Sequence, residues 1–94
     1  MMNTKLKNPI NVQNRLILER VACAGTVIKQ LIADGFTVLD VNVACAKPVI
    51  EIQRTRRTEK LKGVMKKRGE DFHGVYRTLA SVKYLGCQVE WTER

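Results

Sequence analysis

The sequence predicts an α+β fold in which one N-terminal helix packs on a small antiparallel sheet of three to four strands. Apolar residues recur every three or four positions in the first third of the chain, then at every second position, and a short alternating segment ends the chain. With 94 residues, 45% of them hydrophobic, the chain suits one domain with a thin core. We expect a flexible leader at 1–10 and a single α+β domain at 11–94 with a basic insertion at 54–70.

The helix is predicted at about residues 12–33. Asn11 or Asn14 is suited to cap its start, and Asp34-Gly35 to end it. Gly25 lies inside the helix, where glycine costs roughly 0.5–1 kcal/mol relative to alanine, so we expect it to mark close packing on a sheet. The predicted apolar stripe consists of Ile17, Val21, Ala24, Ile28 and Leu31, widened by Leu16, Val27 and Ile32.

Strands follow the helix. In FTVLDVNVAC, residues 36–45, the side chains of Leu39, Val41, Val43 and Cys45 share one face, and VIEIQ predicts a second strand antiparallel to the first. The segment 75–85 is either a strand, which its aromatic and β-branched content favours, or a helix. CQVEW predicts a terminal strand, and its uncovered edge makes a homodimer possible.

Charge is concentrated in the segment from Arg54 to Arg68, here called the basic segment. The chain carries a net charge of +8, and this segment holds eight Lys or Arg against one acid. We favour a loop or a hairpin extension of the flanking strands, because Gly63 and Gly69 weaken a helix; a short helix capped by Thr58 is the alternative. Such a segment attracts anions and is the predicted binding site. Its cations are Arg54, Arg56, Arg57, Lys60, Lys62, Lys66, Lys67 and Arg68.

Three stretches, GFTVLDVNV at 35–43, KPVIEIQR at 47–54 and GCQVEWTE at 86–93, resemble the framework of small accessory proteins of temperate enterobacterial phages. The resemblance implies a dispensable phage gene of the kind whose products bind and block host machinery, including defence systems. It brings no established activity and no catalytic signature, and it does not cover the middle of the basic segment.

Catalytic and metal-binding patterns are missing from the sequence. There is no phosphate-binding glycine loop, the one histidine, His73, lies near no cysteine, and Cys23, Cys45 and Cys87 are too far apart for a typical zinc site. We therefore expect no enzyme, no metal and no cofactor, with the thiols buried or half-buried. The longest nearly apolar stretch is too short and polar to cross a bilayer, so we expect no membrane partner and a cytoplasmic location, in the host cell if phage-encoded.

These observations predict a non-enzymatic inhibitor of a host protein or nucleoprotein complex, of anti-CRISPR or counter-defence type, that binds through the basic segment. Direct, largely sequence-independent binding of DNA or RNA is the alternative. The surroundings of the basic segment distinguish the two. A nucleic-acid binder extends the positive track through Arg15, Lys29, Arg77 and Lys83, whereas an inhibitor places Val64, Met65 or Phe72 beside the charges as apolar anchors.

Overall fold

The structure, a computed structural model, describes residues 11–84 and 86–94, and the predicted leader at 1–10 lies outside them. Within these residues one α-helix precedes five strands, so the α+β class is confirmed, while the strand number exceeds the predicted three to four. A 3-10 helix, Arg56–Leu61, joins the second and third strands. The elements are α1 Val12–Ala33, β1 Val38–Asn42, β2 Val49–Ile52, β3 Val64–Asp71, β4 Gly74–Ser81 and β5 Gln88–Glu93.

The sheet is mixed, in the order β1-β2-β5-β4-β3. The predicted antiparallel β1–β2 pair is confirmed, but β2 and β5 run parallel, because the chain reverses direction twice between them, from β3 to β4 and from β4 to β5. This placement makes β5 central rather than an edge strand, so the predicted route to a homodimer through its free edge is wrong. The described edges are β1 and β3, and the register shifts in each of them, which disfavours pairing with another strand.

The core lies between α1 and one side of the sheet, here called the helix side. Ile50 and Ile52 of β2 and Val89 and Trp91 of β5 are buried there, and the opposite, open side of the sheet has no helix over it in the described part of the chain. The predicted inward alternation of CQVEW is therefore confirmed. Each such side chain contributes about 1.5–3 kcal/mol when fully buried. From α1 the core receives Ala24, Val27 and Leu31.

Helix α1 has the predicted bounds, and its start is capped by Asn11, whose Oδ1 accepts a hydrogen bond from the Asn14 amide at 2.7 Å. Its buried stripe is narrower than predicted, because Val21 and Ile32 are exposed. The prediction for Gly25 was wrong, since a Cβ built there meets nothing within 4 Å. The main contacts of the helix are with β1 and β2, and its fully buried side chains form a single narrow stripe.

Strand β1 is shorter and more exposed than its alternation predicted. The register shift lies between Val38, which pairs with Ile52, and Asp40, which pairs with Glu51. Leu39 is consequently exposed on the sheet edge. Cys45 lies beyond β1 and is exposed, contrary to the expectation of a buried or half-buried thiol.

Candidate functional site

The basic segment is ordered, and its first half is part of the core. Thr55, rather than the predicted Thr58, caps the 3-10 helix by accepting a hydrogen bond from the Arg57 amide at 3.2 Å. Thr58 is buried, and so is Leu61, whose carbonyl accepts a hydrogen bond from Ser81 Oγ at 3.2 Å. A 3-10 helix at 56–61 is followed by a β-strand at 64–71, so the hairpin interpretation is confirmed for residues 64–71 and the loop interpretation is wrong for both stretches. The alternative, a short helix that begins after a cap at Thr58, is wrong, because Thr58 lies inside the 3-10 helix and β3 follows it.

The second half of the basic segment forms β3, which pairs with β4 in a hairpin. The helical alternative for 75–85 is therefore wrong for Gly74–Ser81. Strand β4 pairs with β5 only from Arg77 to Ser81, so residues 69–76 project past the five-stranded sheet as an arm. Phe72 lies at the tip of this arm with its side chain fully exposed.

The arm is fixed by a clamp from the last residue of the chain. Both guanidinium nitrogens of Arg94 bind the carboxylate of Asp71 at 2.8 Å, and the same guanidinium lies 5.4 Å from the centroid of the Tyr76 ring. Asp71 also accepts a hydrogen bond from the His73 amide at 2.8 Å. The Arg94 side chain and the His73 amide together hold the pKa of Asp71 below its usual value.

Two glycines permit this geometry. A Cβ on Gly69 would lie 2.6 Å from the Tyr76 hydroxyl, so the tyrosine ring occupies the space that a side chain there would need. Gly74 has φ +104°, a conformation that favours glycine, and it brings the chain back into β4 after the tip. The tip is thus held by the backbone as well as by the Arg94 clamp.

Arginines line the helix side of the hairpin beyond the core. Arg68 pairs with Arg77 in the strand register, and Arg77 pairs with Glu93. Arg77 Nη2 lies 2.8 Å from Glu93 Oε1, and Arg54 Nε lies 4.0 Å from Glu93 Oε2. The Glu93 carboxylate thus faces two exposed guanidinium groups, and Arg68 lies beside Arg77 on the next strand, so this row of three arginines remains positive.

The open side of the sheet carries carboxylates as well as lysines, unlike the arginine row on the helix side. Lys66 forms an ion pair with Glu90, and Lys67 pairs with Thr78 in the register. The register places three carboxylates side by side on neighbouring strands, from Asp40 through Glu51 to Glu90. These line a shallow cavity of about 260 Å³. An anion lying across the open side would meet this acidic row.

A third group of cations lies at the end of α1. Arg57, Lys60 and Lys83 border a cavity of about 210 Å³. Arg57 Nη1 donates to the Asp34 carbonyl at 3.4 Å, and so binds the negative end of the helix. The Tyr84 hydroxyl donates to Asp34 Oδ2 at 2.7 Å; burial first, and this hydrogen bond second, raise the pKa of Tyr84.

The predicted site residues are therefore distributed over three surfaces rather than gathered on one. Arg54 and Arg68 lie in the arginine row, Lys66 and Lys67 on the open side, and Arg57 and Lys60 at the end of α1. Arg56 and Lys62 are exposed at the two ends of the 3-10 helix. Sequence reasoning did not find the contributions of Tyr76 and Arg94, because nothing local in the sequence indicates that Arg94 reaches the arm.

Exposed apolar side chains accompany the charges on the hairpin. Val64 is 73% exposed and Met65 55% exposed at its base, and Phe72 lies at its tip. Val64 also borders a cavity of about 390 Å³ together with Val82 and Lys83. Of the cations expected to extend a nucleic-acid track, Arg77 and Lys83 adjoin the basic segment. Arg15 and Lys29 lie on α1, which packs on β1 and β2 at the other end of the sheet.

Within 11–84 and 86–94, no three His, Cys, Asp or Glu side chains are grouped so that they could hold a metal ion. Cys23 Sγ and Cys87 Sγ are 3.8 Å apart, and burial raises the pKa of Cys87 to about 11, so this thiol is a poor nucleophile at neutral pH. In the same part of the chain, no helix combines the length and apolarity needed to cross a bilayer.

Comparisons with known proteins place the chain in a family. Neither the curated proteins nor the solved structures gave a match. The Kil protein family matches residues 5–92, which is nearly the whole chain. The match supports the predicted phage origin, because Kil is phage-encoded. The chain therefore belongs to the Kil protein family, and it is a phage accessory protein.

Proposed function

We propose that this protein is a non-enzymatic inhibitor that docks the β3–β4 hairpin onto an acidic surface of a host protein or nucleoprotein complex in the cytoplasm of the infected cell. A counter-defence role of anti-CRISPR type fits this mode of action. The observation that carries the proposal is the combination of exposed cations and exposed apolar side chains on one ordered hairpin.

The apolar side chains favour a protein partner. Binding energy at protein interfaces is concentrated in a few side chains that fill pockets, while surrounding charges set the rate of association and the specificity. Phe72 is suited to be such an anchor, because it is fully exposed and its turn is held by Arg94. A pre-ordered anchor loses less entropy on binding than a mobile one.

The distribution of charge also favours a protein partner over a nucleic acid. The positive track extends from the basic segment through Arg77 and Lys83, while Arg15 and Lys29 lie on α1, whose main contacts are with β1 and β2. The acidic row of Asp40, Glu51 and Glu90 would repel a phosphate backbone laid across the open side.

The experiment is a pull-down from a bacterial host lysate with the purified full chain, with and without nuclease. Two variants probe the hairpin. Phe72→Ala removes the anchor, and Arg68→Glu reverses a charge that faces Arg77 in the strand register, so it adds a favourable cross-strand pair and spares the fold. The matched controls are Leu39→Ala, an exposed apolar residue on the opposite edge strand, and Lys47→Glu, an exposed cation in the β1–β2 turn.

We expect a host protein that is retained after nuclease treatment by the wild type and both controls, and is weakened by both hairpin variants. With the isolated partner, Phe72→Ala should raise Kd by tenfold to a hundredfold, an effect of roughly 1.4–2.8 kcal/mol. Retention of the partner by the hairpin variants would overturn the hairpin as the binding site. Recovery of nucleic acid alone, in a salt-sensitive manner, would replace the proposal with direct DNA or RNA binding.

A further inference from the structure

Helix α1 has a second apolar face that the fold leaves uncovered among the described residues. Leu18, Val21 and Ile32 are 56%, 49% and 60% exposed, and with Gly25 they lie within an arc of about 60° at 3.6 residues per turn. The centre of this outer face is rotated by about 115° from the centre of the buried stripe on the same helix. A helix that is apolar on two sides is typical of one that packs against two neighbours.

Gly25 lies in the middle of the outer face and has no role in packing within the chain. A Cβ there would meet nothing within 4 Å, so neither the sheet nor any other described element requires a glycine. Glycine at this position allows another helix to approach closely, as small residues do at helix crossings.

We propose that a second copy of this chain covers the outer face, with the two α1 helices antiparallel and crossing at Gly25. Leu18 and Ile32 each lie seven residues from Gly25, so a two-fold axis there brings Leu18 of one copy onto Ile32 of the other. Val21 and Lys29 each lie four residues from Gly25, so the methylene stem of the lysine covers the valine.

The charges at the helix ends suit this antiparallel arrangement. The last turn of α1 contains no basic residue, and Arg57 of the 3-10 helix contacts the Asp34 carbonyl at that end. Arg15 lies ten residues before Gly25 and Asp34 nine residues after it, so Arg15 of one copy comes beside the acidic side chain of Asp34 of the other.

The size of the face predicts a weak dimer. The outer face from Leu18 to Ile32 is about 21 Å long at 1.5 Å per residue. A single helix face of this length buries less surface than the ~800 Å² per partner that is typical of stable interfaces. Each copy also carries a net charge of +8, and the two copies repel each other. We expect dissociation in the micromolar range that tightens as salt is added, because salt screens the repulsion. Docking of the hairpin on an acidic partner should respond to salt in the opposite direction, so the two proposals can fail separately.

Sedimentation equilibrium of the purified full chain tests the proposal. We expect a reversible monomer–dimer equilibrium that Gly25→Leu weakens at least tenfold, because the added side chain separates the helices. Thr26→Leu is the matched control: its site is exposed and about 100° away round the helix, and it should leave the equilibrium unchanged. Association that is strengthened by Gly25→Leu would indicate unspecific hydrophobic contact and overturn the proposal.

A charge pair tests the antiparallel register. Leu18→Lys and Ile32→Glu should each abolish dimerisation, and the double variant should restore it, because each lysine then faces a glutamate of the other copy. Circular dichroism confirms that each variant remains folded, which is expected since both sites are exposed. A wild type that stays monomeric at high concentration and high salt, or a double variant that stays monomeric, would overturn the proposal.

Discussion

The substitution Gly63→Ala tests whether the basic segment is packed into the core. A Cβ added at Gly63 would lie closer than 3.0 Å to two carbons of the Trp91 ring and 3.2 Å from Leu79 Cβ. Trp91 is only 1% exposed and is held by Ile50 and the other core residues, so its ring has little room to move. Gly63→Ala should therefore push the basic segment away from the sheet.

The expected loss of stability follows from two opposing effects. Overpacking of a core costs about 1–3 kcal/mol. The smaller entropy of the unfolded alanine chain offsets about 0.4–1 kcal/mol of this. The net loss of about 1–2 kcal/mol corresponds to a fall in Tm of roughly 4–16 °C for a domain of this size.

Gly25→Ala is the matched control, because it makes the same chemical change where a Cβ meets nothing. Alanine in a helix interior should stabilise α1 by about 0.5–1 kcal/mol and raise Tm by a few degrees. Thermal unfolding followed by circular dichroism at low micromolar concentration measures both variants. Equal Tm shifts for Gly63→Ala and Gly25→Ala would refute the packing of Gly63 against Trp91.

Three further predictions concern the C-terminal end of α1, the arm at residues 69–76 and the cysteine thiols. Arg57→Ala should lower the free energy of unfolding by about 0.5–1.5 kcal/mol, measured by urea denaturation, because the Asp34 carbonyl loses a hydrogen bond; an unchanged midpoint would contradict this role. The pKa of Asp71 is lowered by Arg94, so its contribution to stability is present above the pKa of this carboxyl in the unfolded chain and is lost as the pH falls through the folded-state pKa; carboxyl NMR titration should show this lowering in the wild type and its reduction in Arg94→Ala. Cys45 should react with a disulfide reagent in the native protein at pH 8, whereas Cys87, with its pKa raised to about 11, should react only on unfolding; rapid modification of Cys87 in the folded state would contradict its burial.

Local patterns in the sequence account for most of the elements. The bounds of α1 follow from its cap at Asn11 and its end at Asp34-Gly35, and the alternation in CQVEW correctly placed Val89 and Trp91 inside. These features depend on neighbouring residues, so the sequence displays them directly. The predicted number of strands was too low because most residues of β3 are charged and the strand lacks the apolar alternation of a half-buried strand.

Contacts between segments that are distant in the sequence could not be predicted from local patterns. The central position of β5 depends on the hairpin reversing the chain, and the clamp of the arm depends on Arg94 meeting Asp71, 23 residues away. The separation of six of the eight predicted cations onto three surfaces has the same origin, because it follows from the place of the 3-10 helix and from the pairing and register shift of β3.

The sequence by itself determined the fold class, the helix, the alternating strands and the concentration of charge between Arg54 and Arg68, since composition and short-range periodicity specify these. Only the tertiary structure decided that the charge is carried by a 3-10 helix and a clamped hairpin, that Phe72 is exposed at its tip, and that one face of α1 is left uncovered by the other residues that the structure describes. The physical reason is that side-chain exposure depends on which distant segments pack together, and long-range packing is not encoded in any local pattern.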